Sequence, residues 1–226
     1  MQHRIRLALS LGALFVAACS GLGATGTSAS TETSALKQAL SLATERAVKA
    51  TSQSGGFLDN EKIRIGLPGA LGKMTTGLRA IGMGKQVDEL EVAMNRAAEK
   101  AAGEATPVFV DAIQKMSFQD ASGIVTGGDT AATDYFERTT SKPLGERFRP
   151  IVDQAMKNVG LAKQYDQLVG RYTSLPLASA PKFDLTSYVT DKTLSGLFTV
   201  VGEQERQIRT NPAARATDLL KQVFGK

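Results

Sequence analysis

Histidine and cysteine occur once each, at His3 and Cys19, and tryptophan does not occur at all. Both single residues lie in the first twenty positions, in a segment with the form of an export signal. If that segment is removed and Cys19 is acylated, the mature chain keeps neither an imidazole nor a free thiol. This excludes Ser-His-Asp and Cys-His nucleophilic catalysis, the usual zinc sites, thiol redox chemistry and a structural disulfide. An enzyme built from this chain would have to work with Asp, Glu, Lys, Arg, Ser, Thr or Tyr, and no cofactor is implied. Charge of one sign is also scarce. The 27 Lys and Arg stand against 22 Asp and Glu, and removal of Arg4 and Arg6 lowers the net charge from +5 to +3. The cations are interspersed with acids, as in Glu203-Gln204-Glu205-Arg206-Gln207-Ile208-Arg209. No concentrated basic stripe or aromatic interleaving marks a nucleic-acid surface.

What is present at the N-terminus is an address. Arg4 and Arg6 supply the cationic start, Leu7 to Val16 the apolar core, and Ala17-Ala18 the small residues before Cys19. That order is the physical requirement of a secretory signal, and Val16-Ala17-Ala18-Cys19 has the form of a bacterial lipobox. The apolar run falls short of the ~20 residues a membrane-spanning helix needs. Acyl chains on Cys19 would then hold the protein to a bilayer, each buried methylene contributing about 0.8 kcal/mol. Ser20, rather than Asp, follows the cysteine, which favours the periplasm-facing outer membrane. Residues 1–18 are therefore read as a lipoprotein signal peptide and 19–33 as the lipidated cysteine with a flexible Gly, Ser, Thr and Ala tether. Residues 34–226 are read as one folded domain, long enough to bury a core without metals or bridges.

Helical periodicity dominates that domain and predicts an all-α fold of amphipathic helices. Leu36, Leu40, Ala43 and Ala47 form one stripe that stops at Ser54-Gly55-Gly56; Leu71, Met74, Leu78 and Ile81 form another before Gly82. Val87, Leu90, Met94, Ala97 and Ala101 follow. Thr106-Pro107 reads as a cap with proline at the first helical position, opening a helix that turns Phe109, Ile113 and Met116 inward. Ser117 to Asp120 has the form of a capping box. Leu144, Phe148, Ile151, Val152, Ala155, Met156 and Val159 mark a further helix that Pro150 should kink or divide. Tyr165, Leu168 and Tyr172 form the next stripe, and Ser174 to Pro181 reads as a connection. Asp184 and Thr190 are candidate caps for a helix carrying Leu194, Leu197, Phe198, Val201 and Ile208. Asn211-Pro212 should start a last helix ending near Phe224. Short strands around Ile63 to Leu67 are a minor alternative.

Seven phrases, in order along the domain, carry a resemblance. They are Gly56-Phe57-Leu58, Ile65-Gly66-Leu67-Pro68-Gly69, Val87-Asp88-Glu89-Leu90-Glu91, Met94-Asn95-Arg96-Ala97-Ala98-Glu99, Gly127 to Thr133, Phe148 to Val152, and Tyr188-Val189-Thr190-Asp191-Lys192. From about Ser34 to the C-terminus the chain resembles the uncharacterised bacterial family designated domain of unknown function four-one-nine-seven. The resemblance implies a predominantly helical, exported domain, and brings no activity, cofactor or functional residue with it.

Three places are candidates for function. At Thr126-Gly127-Gly128-Asp129-Thr130 the paired glycines permit left-handed backbone before a helix whose first N–H groups could bind an anion. Gly127, Gly128 and Thr130 are the candidate ligand-binding residues there, and capping by Asp129 or Thr130 is the alternative. Asp134 and Glu137 share a helix face beside Arg138. With Asp129 they are the candidate catalytic carboxylates, for divided acid and base roles; a solvated face, or pairing with Arg147 or Arg149, is the alternative. Asp59-Asn60-Glu61 is a similar oxygen-rich run that more simply begins a helix. The third candidate is a groove for a lipid or partner helix, lined by Leu194, Leu197, Phe198 and Val201 with Leu219, Leu220, Val223 and Phe224; core packing is the alternative. No metal site is indicated. The expectation is an outer-membrane lipoprotein that acts as a non-catalytic binding or structural module for a hydrophobic ligand or an envelope protein, with a mechanical spacer as its limit. A carboxylate-dependent hydrolase of an envelope polymer is the competing class. The address is testable: Cys19→Ser should leave a soluble or unprocessed protein, and a cleaved mutant still firmly attached to membranes would overturn the lipid anchor.

Overall fold

The computed structural model describes residues 24–158, 161–176, 178 and 183–211. The expected signal peptide, Cys19, Val159 and the expected last helix from Pro212 to Phe224 lie outside them. The elements are α1 (Ala24–Ser52), a 3-10 turn at Gly69–Leu71, α2 (Gly72–Ala80), α3 (Gly84–Ala102), a second 3-10 turn at Gly103–Ala105, α4 (Thr106–Lys115), α5 (Phe118–Thr126), α6 (Ala131–Asn158), α7 (Leu161–Thr173) and α8 (Leu185–Thr210). No strand occurs among the described residues. The all-α expectation holds, in one domain.

Helices α3, α6 and α8 pack on one another, and α1 lies across α8, α3 and α4. Their apolar stripes meet in a single core around the fully buried Phe57, Phe109, Phe136, Phe148, Leu90, Met94 and Leu144. Phe109 is the hinge of the aromatic packing. Its ring meets Phe136 edge-on at 5.2 Å and Phe198 at 6.4 Å, the arrangement that the ring quadrupole favours.

Pro143 and Pro150 both lie inside α6, yet the helix is continuous through them. The expectation that Pro150 divides it is corrected by tertiary packing. An interior proline costs about 3 kcal/mol, whereas full burial of each of Phe136, Leu144, Phe148 and Val152 contributes about 1.5–3 kcal/mol, and all four are buried.

Two carboxylates are buried where helices end. Glu205 of α8 is 5% exposed and accepts the N–H groups of Ala132 at 2.9 Å and Thr133 at 2.8 Å, with the Thr133 hydroxyl at 2.7 Å. It therefore caps α6 from a neighbouring helix, satisfying donors that have no intrahelical partner. Arg209, one turn along α8, donates to Glu205 through Nε at 2.9 Å and a terminal nitrogen at 2.8 Å, and reaches the Ile124 carbonyl at the end of α5. Glu99 of α3, 4% exposed, does the same for the turn after α1. Its Oε1 accepts N–H from Gly55, Phe57 and Leu58 at 3.1–3.2 Å, and its Oε2 pairs with Arg96 at 2.7 Å. Gly55 has φ of 87° there, which only glycine adopts without strain.

Several local expectations are corrected. The tether expected over 19–33 is helical from Ala24 onward, because extending a helix nucleated by packing adds one hydrogen bond per residue fixed. Thr106 does not cap α4; the Gly103–Ala105 turn runs into that helix and Thr106 is its first residue, with Pro107 in the first turn. Thr190 is interior to α8 and donates to the Thr186 carbonyl, while Asp184 does cap that helix, accepting from the Ser187 N–H. Ile81 is exposed rather than core, since α2 ends at Ala80. The capping box at Ser117 and Asp120 is formed as expected.

Two stability predictions follow from these ends. Glu205→Ala should cost about 3–5 kcal/mol by urea denaturation, the penalty for stripping a buried charge of its partner; an unchanged midpoint would contradict the capping role. Asp120 and Asp184 are held below the ordinary carboxylate range chiefly by the hydroxyls and N–H groups of Ser117 and Ser187, with Arg138 and Arg149 assisting. A depressed folded pKa gives stability that is present above the unfolded value and lost as pH falls through the folded one. Acid titration below about pH 4 should therefore weaken the fold, and the double variant Asp120→Asn, Asp184→Asn should flatten that dependence.

Candidate functional site

Residues 64–68 carry no regular structure and are held by side chains instead of a ladder. Asn95, fully buried on α3, accepts the Ile65 N–H at 2.8 Å and donates to the Ile65 carbonyl at 2.9 Å. The amide thus gives Ile65 both bonds that a neighbouring strand would have made, which is why the minor strand expectation finds irregular backbone here. Glu91 accepts the Leu67 N–H at 3.3 Å, and the Tyr188 hydroxyl of α8 donates to the Gly66 carbonyl at 2.9 Å. Gly196 lets α8 approach closely: a β-carbon there would stand 2.5 Å from Phe57 Cε1.

Between this segment and α8 lies a cleft of about 200 Å³, walled by Lys62, Arg64, Gly66, Tyr188, Lys192, Ser195 and Thr199 among others. Three cations and no carboxylate line it. Lys62 pairs with Glu203 at 2.6 Å and Arg64 loosely with Glu91 at 3.7 Å, the cations exposed and the carboxylates half-buried. Such surface pairs are worth at most about 1 kcal/mol, so a stronger anion can replace them. Lys192 stands 5.8 Å from the Tyr188 ring centre, over the ring face. Burial, and to a lesser degree Glu91, pushes the Tyr188 hydroxyl above its ordinary range, so it remains a neutral donor. The wall offers positive charge and hydroxyls for holding an anionic group, and no paired nucleophile and base.

A model of the family described as "Protein of unknown function (DUF4197)" matches residues 26–225. The chain belongs to that family. No curated protein and no solved structure matches it. Within this DUF4197 domain, three of the phrases that carry the family resemblance converge on the cleft: Ile65 to Gly69, the Asn95 phrase, and Tyr188 to Lys192.

The residues singled out from sequence fall elsewhere. Gly127 is extended, with φ of −80° and ψ of 178°, and Gly128 has no positive φ, so the expectation of left-handed backbone is corrected. The constraint at Gly127 is space, because a β-carbon would meet the Gly123 carbonyl at 2.6 Å. The α6 donors that could have bound an external anion are taken by Glu205 rather than by Asp129 or Thr130. Thr130 donates to Asp134 at 3.3 Å. Asp129, Asp134 and Glu137 are all exposed and line none of the described cavities. Arg147 and Arg149 pair with Glu104 and Asp184 instead. Asp59 to Glu61 form a turn in which Asn60 accepts the Lys62 N–H. The described part of the expected apolar groove is core: Leu197, Phe198 and Val201 are buried, and Leu194 packs against them. Only a dimple of about 10 Å³ opens beside Val201; Leu219, Leu220, Val223 and Phe224 lie outside the described residues.

A wider groove of about 710 Å³ runs between α4 and α6, but its charges are mostly matched internally, Lys115 with Asp111 and Arg138 with Asp120. Among the described residues no group of His, Cys, Asp and Glu could hold a metal ion, and no helix is long and apolar enough to cross a membrane. Sequence reasoning missed Lys62, Arg64 and Lys192. The legible signal was Tyr188 and Lys192 four apart on one helix face; their meeting with residues 62–66 depends on Asn95.

Proposed function

We propose that the protein is a periplasm-facing lipoprotein of the outer membrane, attached through Cys19, and that it is a non-catalytic binding module whose ligand presents an anionic group to the Lys62, Arg64 and Lys192 cleft. The observation that carries this reading is a cleft lined by three cations and no carboxylate, two of the cations paired only with acids outside the lining, on backbone that Asn95 and Tyr188 hold in place. Preorganised donors lose little freedom on binding, and the short reach of exposed charges in salt makes the affinity ionic-strength dependent. A hydrophobic ligand along α8 is not supported, because that face packs in the core. The hydrolase reading has no observation in its favour, since its three carboxylates stand in solvent.

The test is native mass spectrometry of the chain from residue 19 onward, carrying Cys19→Ser and exported to a bacterial periplasm, alongside titration calorimetry with inorganic phosphate. The wild type should carry a stoichiometric anionic adduct or bind phosphate, and Lys192→Glu should lose either by at least tenfold without loss of helicity. Binding unchanged by Lys192→Glu, or an apo mass with no phosphate heat, would overturn the proposal.

A further inference from the structure

Phe118 opens α5 with 62% of its surface exposed, and Val125, seven residues on, is 37% exposed. Residues 118, 121, 122 and 125 share one helix face, and that face borders a cleft of about 210 Å³ against Glu32, Thr33 and Leu36 of α1. Single exposed apolar residues need no explanation; these two lie together on the wall of one cleft. The capping box through Ser117 and Asp120 fixes the start of α5 and so the direction in which Phe118 projects. Lysines flank the patch on the adjoining elements. Lys37 of α1 reaches the Gln114 carbonyl at 3.1 Å, and Lys115, at the end of α4, is exposed and pairs with Asp111 at 2.7 Å, a surface pair worth at most about 1 kcal/mol that a lipid phosphate can replace. Asp120 is engaged by Ser117 and, at 3.8 Å, by Arg138.

The place of this patch along the chain identifies its occupant. Eight residues of α1 separate Glu32 from Ala24, about 12 Å of helix, and the five further residues back to Cys19 span at most about 18 Å. An aromatic and an aliphatic side chain, with Glu32 on the same wall and two lysines on the adjoining elements, within about 30 Å of a lipidated cysteine, match the chemistry of an interfacial membrane contact. We infer that the α1–α5 edge seats the domain on the bilayer to which Cys19 is attached, with Phe118 and Val125 entering the interfacial layer and Lys37 and Lys115 meeting lipid phosphates. This rests on the lipid-anchor reading for its geometry, although the contact itself can be measured without the lipid.

The absence of tryptophan makes Phe118→Trp a single reporter. The chain from residue 19 onward, carrying Cys19→Ser and Phe118→Trp, is mixed with vesicles of phosphatidylethanolamine and phosphatidylglycerol. Tryptophan emission should shift to the blue and become protected from an aqueous quencher, and adding Val125→Asp, at an exposed position that leaves the fold intact by circular dichroism, should abolish both changes. Emission that stays water-like at saturating lipid would overturn the inference, as would a shift that survives Val125→Asp. If palmitate labels Cys19 while the tryptophan stays in water, the anchor stands and the seating surface falls; a shift without labelling does the reverse.

Discussion

Glu205 is the contact on which the arrangement of α6 against α8 depends. A carboxylate on α8 is removed from water, which is costly, and that cost is offset only because the first N–H groups of α6, the Thr133 hydroxyl and Arg209 all converge on it. Through Arg209 the same network holds the last turn of α5 at Ile124. The start of α6 is thereby set relative to α8, and the stripe from Phe136 to Val152 follows in register into the core shared with α3. Continuity of α6 through two prolines is a consequence of that packing rather than of local preference.

Glu99 plays the corresponding part for the turn after α1. By gathering three N–H groups after α1, it turns the chain so that Phe57 enters the core beneath Gly196 and the irregular segment runs along α8. Asn95 and Tyr188 then hold that segment at Ile65 and Gly66. Buried polar side chains thus stabilise a stretch without secondary structure, and the cations it carries are displayed against a fixed wall. The cleft and the apolar α1–α5 edge are separate surfaces, lined by different residues, so ligand binding and membrane contact need not compete.

Much of the helical order was legible because burial imposes a period of three to four residues. The stripes at Leu36 to Ala47, Val87 to Ala101 and Leu197 to Ile208 are buried as expected, and the Ser117 capping box is local chemistry that a four-residue phrase encodes. Where reasoning from sequence departed from the structure, the cause was in some places a neighbouring turn or carbonyl and in others tertiary packing. Thr106 lost its capping role to a turn before it, Pro150 was overridden by packing, and Gly127 proved to be a matter of space while Gly128 stands open. The carboxylates at Asp134 and Glu137 share a face, as their spacing required, but spacing carries no information about burial, and both stand in solvent.

By itself the sequence determined the fold class and most of the helices with their inward faces, because each of these rests on composition or on contacts within a few residues. Only the tertiary structure decided which polar groups are buried and which cations share a wall. Glu205 reaches α6 across more than seventy positions of chain, and Lys62 meets Lys192 across more than a hundred. Such encounters are set by how the helices pack, and no local period or phrase encodes them.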